Sequence, residues 1–496
     1  MFFIYKEFTL KKHIILTIIM GLLSFQATSS TIDGYPLKHY TLFEEWIDVD
    51  LWDNYRTILY HKDSNKYEIV ALDVRTPHFG PTAADESNIT HQCSIENDPE
   101  WRDLIFNCAV ERTMDASIIT SKDNKFDKPV YFISGADITF GSQTPVFGHD
   151  KLYSYWNNNT LSPIFKSLLD SGKDIVFLSP KNGDYTITAD FFNYVKEHFQ
   201  EGDYHSSLIG FSYGGLIGKQ MINFLEEEGG QHNIYNFISF DAPHKGANIP
   251  YSLTENFRRV QKRLSQIAFC QHIPACEKSE AQISELLEQL TDGVAAKLLV
   301  TGDQAGSYYT RLANTPYSAL TRNVAFSNGS YTGDSKGLPS GTELIEFKVD
   351  FEPYGDTNYS VQSKNIYQNY KIPHYYTTHV FDNAPGSYAM SGAELDHEFD
   401  NEAKENSSLT VIKSNLQDRN LTPTFIPTVS ALDMNTSELD RGFDLSSADT
   451  PFDKVYAVNG KNLRHDDFSY HASSLYYEIN KKEIDTAIVV IVTSLM

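Results

Sequence analysis

Gly210-Phe211-Ser212-Tyr213-Gly214 constrains this chain more than any other stretch. The short apolar run Ser207–Ile209 precedes it, and a helical pattern from Gly215 to Glu228 follows. A G-x-S-x-G sequence between strand and helix is the setting of a nucleophile elbow, in which the serine stands on a tight, strained turn with its hydroxyl clear of the strand ends. Glycines flank it because larger side chains would clash with the neighbouring strand and helix backbones. The bland alternative, a Gly/Ser-rich loop, leaves the flanking periodicity unexplained. Ser212 is therefore the expected nucleophile.

The N-terminus indicates where such a serine works. Residues 1–30 read as a secretory signal peptide: Lys11, Lys12 and His13, the apolar run Ile14 to Phe25, then small Ala27, Ser29 and Ser30. Thr17 and Ser24 interrupt the run, which is shorter than the ~20 residues a spanning helix needs. An uncleaved anchor is the alternative. The expectation is a secreted or periplasmic protein with no stable membrane insertion. Among 496 residues, 41 basic and 65 acidic side chains give a formal net charge of −24, which opposes binding to nucleic acid or anionic membranes. Four cysteines fall into two close couples, Cys93 with Cys108 and Cys270 with Cys276. In an exported chain these predict two loop-closing disulfides. Neither spacing resembles a zinc site, and no metal or cofactor is expected.

The middle of the chain alternates between strand and helix patterns. Tyr55 to Leu59 and Tyr67 to Leu72 read as a hairpin, with Cys93 to Cys108 as an excursion from it. Strands are predicted at Pro129 to Ile133, Asp174 to Leu178, Ser207 to Ile209 and Asn236 to Phe240. Helices are predicted at Pro163 to Asp170, Ala189 to Gln200 and Leu216 to Glu227. Such alternation implies a parallel sheet covered on both faces, with its site at the strands' C-terminal ends. From 251 to 320 the pattern is mostly helical, strongest over Ser279 to Leu299 and broken at Asp292-Gly293. Asn323 to Phe326 then reads as a return strand, and residues 340–400 as a β-rich insertion in which Glu343 to Phe351 alternates. Residues 401–420 read as a polar loop.

A second chemical signal, Asp241-Ala242-Pro243-His244-Lys245-Gly246-Ala247-Asn248, begins 29 residues after Ser212, at the end of the next predicted strand. With Gly210 to Gly215 it resembles lipase- and esterase-type α/β-hydrolases, many of which carry a Pro-His-x-Gly turn there. The run on to Ile249-Pro250, with Phe425 to Leu432 downstream, is similar to a group of exported bacterial hydrolases. The resemblance covers roughly residues 129–250 and 421–480. It implies an α/β-hydrolase fold whose core spans 31–250 and 421–496. Residues 251–320 would form a helical cap, and 321–420 the return strand with the β-rich insertion.

That resemblance also implies a triad in the chain order Ser…Asp…His. Position selects His465 as the base, on the loop Asn459 to Phe468 before a last helix at Ser469 to Ile479. His471 is its rival, inside that helix. Many lipases carry an Asp-Gly just before the stretch resembling Ile426 to Ala431, but Pro423 and Thr424 stand there instead. Pancreatic-type lipases place their acid at the end of the strand after the nucleophile strand, which is the place of Asp241. Asp241 is thus the expected acid, with Asp334 and Asp433 as alternatives. The oxyanion donors are expected to be the backbone N–H of Tyr213 and one from the loop after Ile133, Ala136 first, then Gly135 or Asp137. His244 is placed at the substrate pocket, with holding its own turn as the alternative.

Two functions of different class follow. One is a secreted serine hydrolase cleaving small-molecule or lipid acyl esters through an acyl-enzyme, with a peptidase or transacylase as a variant on the same fold. The other is a catalytically inactive scaffold that binds a glycan or surface partner through the aromatic insertion.

Overall fold

The computed structural model describes residues 31–49, 52–62, 66–74, 113–123, 125–136, 149–180, 183–202, 205–266, 284, 287, 293–300, 305–336, 338, 340–350, 356–362, 365–372, 376–389, 409–414, 422–436 and 442–485. The expected signal peptide over 1–30 and the alternative oxyanion residue Asp137 lie outside the described residues. So do Cys93, Cys108, Cys270 and Cys276, and with them both expected disulfides, Cys93–Cys108 and Cys270–Cys276.

The first strands are β1 (Thr31–Ile32), β2 (Tyr35–Val49), β3 (Trp52–His61), β4 (Lys66–Val74) and β5 (Thr113–Ile119). They are followed by β6 (Pro129–Ile133), β7 (Asp174–Pro180), β8 (Ser206–Phe211), β9 (Ile234–Phe240) and β10 (Arg322–Ser330). Next come β11 (Glu343–Asp350), β12 (Asp356–Gln362), β13 (Asn365–Ile372), β14 (Tyr376–Phe381), β15 (Gly386–Ser387) and β16 (Leu409–Ser414); β17 (Ile426–Pro427) and β18 (Lys454–Val458) complete the order. One sheet runs β18-β10-β9-β8-β6-β7-β5-β2-β3-β4, with β1 added on β2.

Strands β6 to β10 and β18 are mutually parallel. Strand β5 pairs antiparallel with β7, and β2 antiparallel with β5. The chain leaves β6, crosses to β7 at the outer side, then returns to place β8 on β6's other flank. This exchange, one antiparallel strand near the start and the elbow at the end of a central strand together define the α/β-hydrolase fold.

The central strands read as nearly unbroken apolar runs because both of their faces are covered. Tyr131, Ile133, Val176, Leu178, Leu208 and Phe237 enter the core under the helices Tyr185–His198 and Tyr213–Glu227. Their neighbours Val130, Phe132, Ile175, Phe177, Ile209 and Ile238 point the other way, onto the helices His149–Trp156, Leu161–Asp170 and Ala472–Ile479. The period of two thus assigns each side chain to a core layer.

Strands β2 and β5, unmarked in the sequence, extend the sheet on its antiparallel side. The polar loop expected over 401–420 contains β16, which pairs antiparallel with β11 in the register Val411↔Phe347 and Thr410↔Lys348. The β-branched run Thr410-Val411-Ile412 suits a strand, but the polar residues on both sides of it give the segment the look of a loop. Of the helical signal expected over Ser279 to Leu299, the part after the predicted break is the helix Gly293–Leu298, and most of the part before it lies outside the described residues. Among the described residues, no helix is long and apolar enough to cross a membrane.

Candidate active site

Ser212 follows the last residue of β8 and caps the helix Tyr213–Glu227. Its φ of 53° and ψ of −124° lie where non-glycine residues rarely sit, a strain on the order of 1–3 kcal/mol that surrounding packing must sustain. The flanking glycines show what sustains it. A Cβ on Gly210 would fall 2.3 Å from the Gly214 carbonyl oxygen, and one on Gly214 would fall 2.3 Å from that of Ile133. Strand, turn and helix approach too closely for any side chain at either position.

The strand ends continue as a staircase of main-chain hydrogen bonds. Ser212 N donates to Phe240 O at 2.8 Å, and Asp241 N donates to Phe326 O at 2.8 Å. Ser212 and Asp241 therefore stand at the ends of adjacent strands, both with positive φ (53° and 46°). Asp241 is fully buried. One carboxylate oxygen, Oδ1, accepts from Asn328 N at 2.9 Å. The other, Oδ2, faces His465 Nδ1 at 2.6 Å.

His465 reaches that position because its loop is held on several sides. Its own N donates to Tyr388 O at 2.8 Å, and Tyr388 N donates to Leu463 O at 3.1 Å. The Phe425 ring meets the imidazole edge-to-face at 5.1 Å between centroids. The Asn328 side-chain amide donates to the carbonyls of Arg464, His465 and Asp467 at 2.8, 3.1 and 2.9 Å, while its main-chain carbonyl accepts from Leu463 N at 2.8 Å. Asn328 thus binds Asp241 through its main chain and gathers the histidine loop through its side chain. In sequence it is part of an Asn-Gly pair that reads as an ordinary turn.

The rival residues are occupied elsewhere. His471 is buried, and its Nε2 pairs with Ser327 O at 2.9 Å; burial lowers its pKa. Asp334 accepts from Ser330 Oγ at 2.6 Å and from Thr332 Oγ1, closing its own turn. Asp433 accepts from Tyr317 OH at 2.8 Å, with Lys245 Nζ 3.8 Å away. Burial raises its pKa, and the Lys219 and Lys245 charges oppose that shift. His244, expected at the pocket or as the holder of its own turn, faces the interior. It is 4% exposed, and its ring nitrogens meet Ser239 Oγ at 2.8 Å and Tyr317 OH at 3.2 Å. Desolvation, then the two lysine charges, push its pKa well down, so it serves as a neutral link inside the turn.

On the other side of Ser212 lies the loop after β6. A Cβ on Gly135 would fall 2.8 Å from Ser212 Cβ and 3.3 Å from its Oγ. Gly135 therefore borders the serine hydroxyl, and Tyr213 N opens the helix, where main-chain N–H groups lack intrahelical partners. The helix dipole adds a favourable field for negative charge at that end. Among the described residues no cluster of His, Cys, Asp and Glu could hold a metal ion.

Lys336 is 7% exposed, and its Nζ lies 4.5 Å from the Tyr388 ring centroid. That amine has no hydrogen-bond partner among the described residues. Desolvation pushes its pKa down to about 7, against the opposing pull of the Asp241 charge.

No family model matches the chain, and no curated protein matches it. Solved structures similar to it include Est1E from Butyrivibrio proteoclasticus, at 14% identity over 26% of this chain and 47% of that one, with a TM-score of 0.19. An esterase of Pyrobaculum calidifontis is 11% identical over 43% of this chain and 62% of its own, with a TM-score of 0.27. The mature form of the Bacillus licheniformis lipase BlEst2 is 16% identical over 41% and 66%, with a TM-score of 0.25. The chain spans about half to two thirds of each of these proteins, and likenesses this partial say nothing about its site. The α/β-hydrolase fold rests on the chain's own strand order and elbow.

Proposed function

We propose that this protein is a serine hydrolase that cleaves carboxylic esters through an acyl-enzyme. The observation that carries the reading is the 2.6 Å approach of His465 Nδ1 to Asp241 Oδ2, with that carboxylate buried beside the strand end bearing Ser212. Ionised Asp241 accepts the Nδ1–H and leaves Nε2 unprotonated, the tautomer a general base requires.

Ser212 Oγ attacks the ester carbonyl carbon while His465 Nε2 takes its proton. The carbonyl π electrons move to oxygen, where the N–H groups of Tyr213 and Ala136 stabilise the negative charge. The tetrahedral species collapses, the C–O bond to the alcohol breaks, and the imidazolium returns its proton to the leaving oxygen. Water then repeats the sequence on the acyl-serine and releases the acid. Asp241 stays ionised throughout and stabilises the transient imidazolium.

The proposed substrates are small-molecule or lipid acyl esters. Export is part of the same proposal and rests on residues 1–30 alone; N-terminal sequencing of protein recovered outside the cytoplasm tests it. The reaction is tested with p-nitrophenyl esters of increasing acyl length beside the matching anilides. A burst of p-nitrophenol from the esters, lost in Ser212→Ala, is expected. Preferential cleavage of the anilides would replace the ester reading with a peptidase one, and cleavage of neither would favour a binding scaffold.

A further inference from the structure

The helix His149–Trp156 sends Lys151 into the protein, where it is 8% exposed. Its Nζ donates to the carbonyl oxygen of Gly135. This is the residue that borders the Ser212 hydroxyl, and the following peptide N–H belongs to Ala136. We propose that Lys151 is a positioning residue that orients and polarises the Gly135–Ala136 peptide as an oxyanion donor. The proposal rests on the ester-hydrolase reading above.

A trans peptide is planar, so the carbonyl of one residue and the N–H of the next point in opposite directions. Fixing the Gly135 oxygen on Lys151 therefore fixes the Ala136 N–H on the opposite side. The rest of the loop is held independently. Ser134 N donates to Leu178 O at 2.9 Å, and Ser134 Oγ to Ser179 Oγ at 3.2 Å. Gly214 packs against the Ile133 and Ser134 carbonyl oxygens so closely that a Cβ would come within 2.3 and 2.8 Å of them. The β7 end thus holds the loop before Gly135, and Lys151 grips it at Gly135 itself.

The charge on Lys151 adds polarisation to this grip. An ammonium on the carbonyl oxygen draws electron density through the amide and makes its N–H more acidic, hence a stronger donor. Such a donor contributes most when full negative charge develops on the substrate oxygen, in the transition state. Lys151 should accordingly affect turnover more than substrate binding.

The experiment compares wild type with Lys151→Met, Lys151→Gln and Lys151→Arg on a p-nitrophenyl ester, beside inhibition by a trifluoromethyl ketone that forms a tetrahedral adduct. Removing an oxyanion donor outright costs roughly 10²–10³-fold in kcat. Loss of its orientation and polarisation should cost about 10–100-fold in Met and Gln, with KM within about twofold. Ketone affinity should fall in parallel, and Arg should recover most of the turnover. A structural role alone would lower the folded fraction and leave kcat per labelled site and ketone affinity unchanged. If Lys151→Met does not fold, Lys151→Gln provides the same test. Turnover within about twofold of wild type in the folded neutral variants, or an unchanged ketone affinity, overturns the proposal. A fluorophosphonate label on wild-type Ser212 separates this failure from that of the nucleophile reading, which would leave wild type itself unlabelled.

Discussion

His465 Nδ1 stands 2.6 Å from Asp241 Oδ2, across 224 residues of chain. The pairing joins the end of β9 to the loop after β18, two strands on opposite sides of β10. Asp241 offers this oxygen because its other one is already bound by Asn328 N. Asp241→Asn keeps the shape and removes the charge. It should lower kcat by about 10³–10⁴-fold, through loss of the correct imidazole tautomer. Asp433→Asn and Asp334→Asn should stay within a few-fold of wild type once corrected for folded fraction. Steady-state kinetics on the three purified variants ranks them.

Asn328 predicts a different signature. Its amide donates to three carbonyls of the histidine loop, so Asn328→Ala leaves buried acceptors unsatisfied, at about 1–3 kcal/mol. The main-chain bond to Asp241 remains. Thermal melting should show the stability loss, and kcat should fall more than the folded fraction does, because His465 is less well held. A variant that melts lower yet turns over normally would mean that the loop is positioned by its other contacts.

Several of these features could be read from the sequence and several could not. The elbow glycines, the strand-end aspartate before Pro-His-x-Gly and the histidine before the last helix each carry a local signature. The structure places Asp241 against His465 and leaves Asp334 and Asp433 in other contacts. Asn328 has no such signature, since its partners lie 136 to 139 residues further along the chain. Lys151 and Lys336 look like surface lysines in sequence, because their burial is decided by tertiary packing. His244 belongs to a motif that stands out in the chain, but the pattern does not reveal that its ring turns inward to Ser239 and Tyr317. Strand β16 is hidden by its polar flanks, because its partner β11 lies some sixty residues earlier and leaves no local mark.

Lys336 makes stability depend on pH in a defined window. Its folded-state pKa is pushed down to about 7 by burial, so the folded protein holds this proton less tightly than the unfolded chain. Below about pH 7 both states are charged, and the folded state carries the full desolvation cost, on the order of several kcal/mol. As pH rises through the ordinary lysine range near 10.4, the unfolded amine also loses its proton and the cost vanishes. Lys336→Met should therefore be more stable than wild type at pH 6–7, by roughly 1–3 kcal/mol after relaxation around the site. The advantage should shrink steadily toward pH 10.5. Denaturant titrations of both proteins across that range check it, and a difference independent of pH would contradict it.

The nucleophile itself is tested most directly by covalent capture. Wild-type protein incubated with a fluorophosphonate should gain the mass of one phosphonyl group, and peptide mapping should place it on Ser212. The Ser212→Ala variant, folded to the same extent by circular dichroism, should remain unmodified. Labelling of Ser212→Ala at the wild-type rate, or an unlabelled wild type, would contradict the assignment of Ser212 as nucleophile.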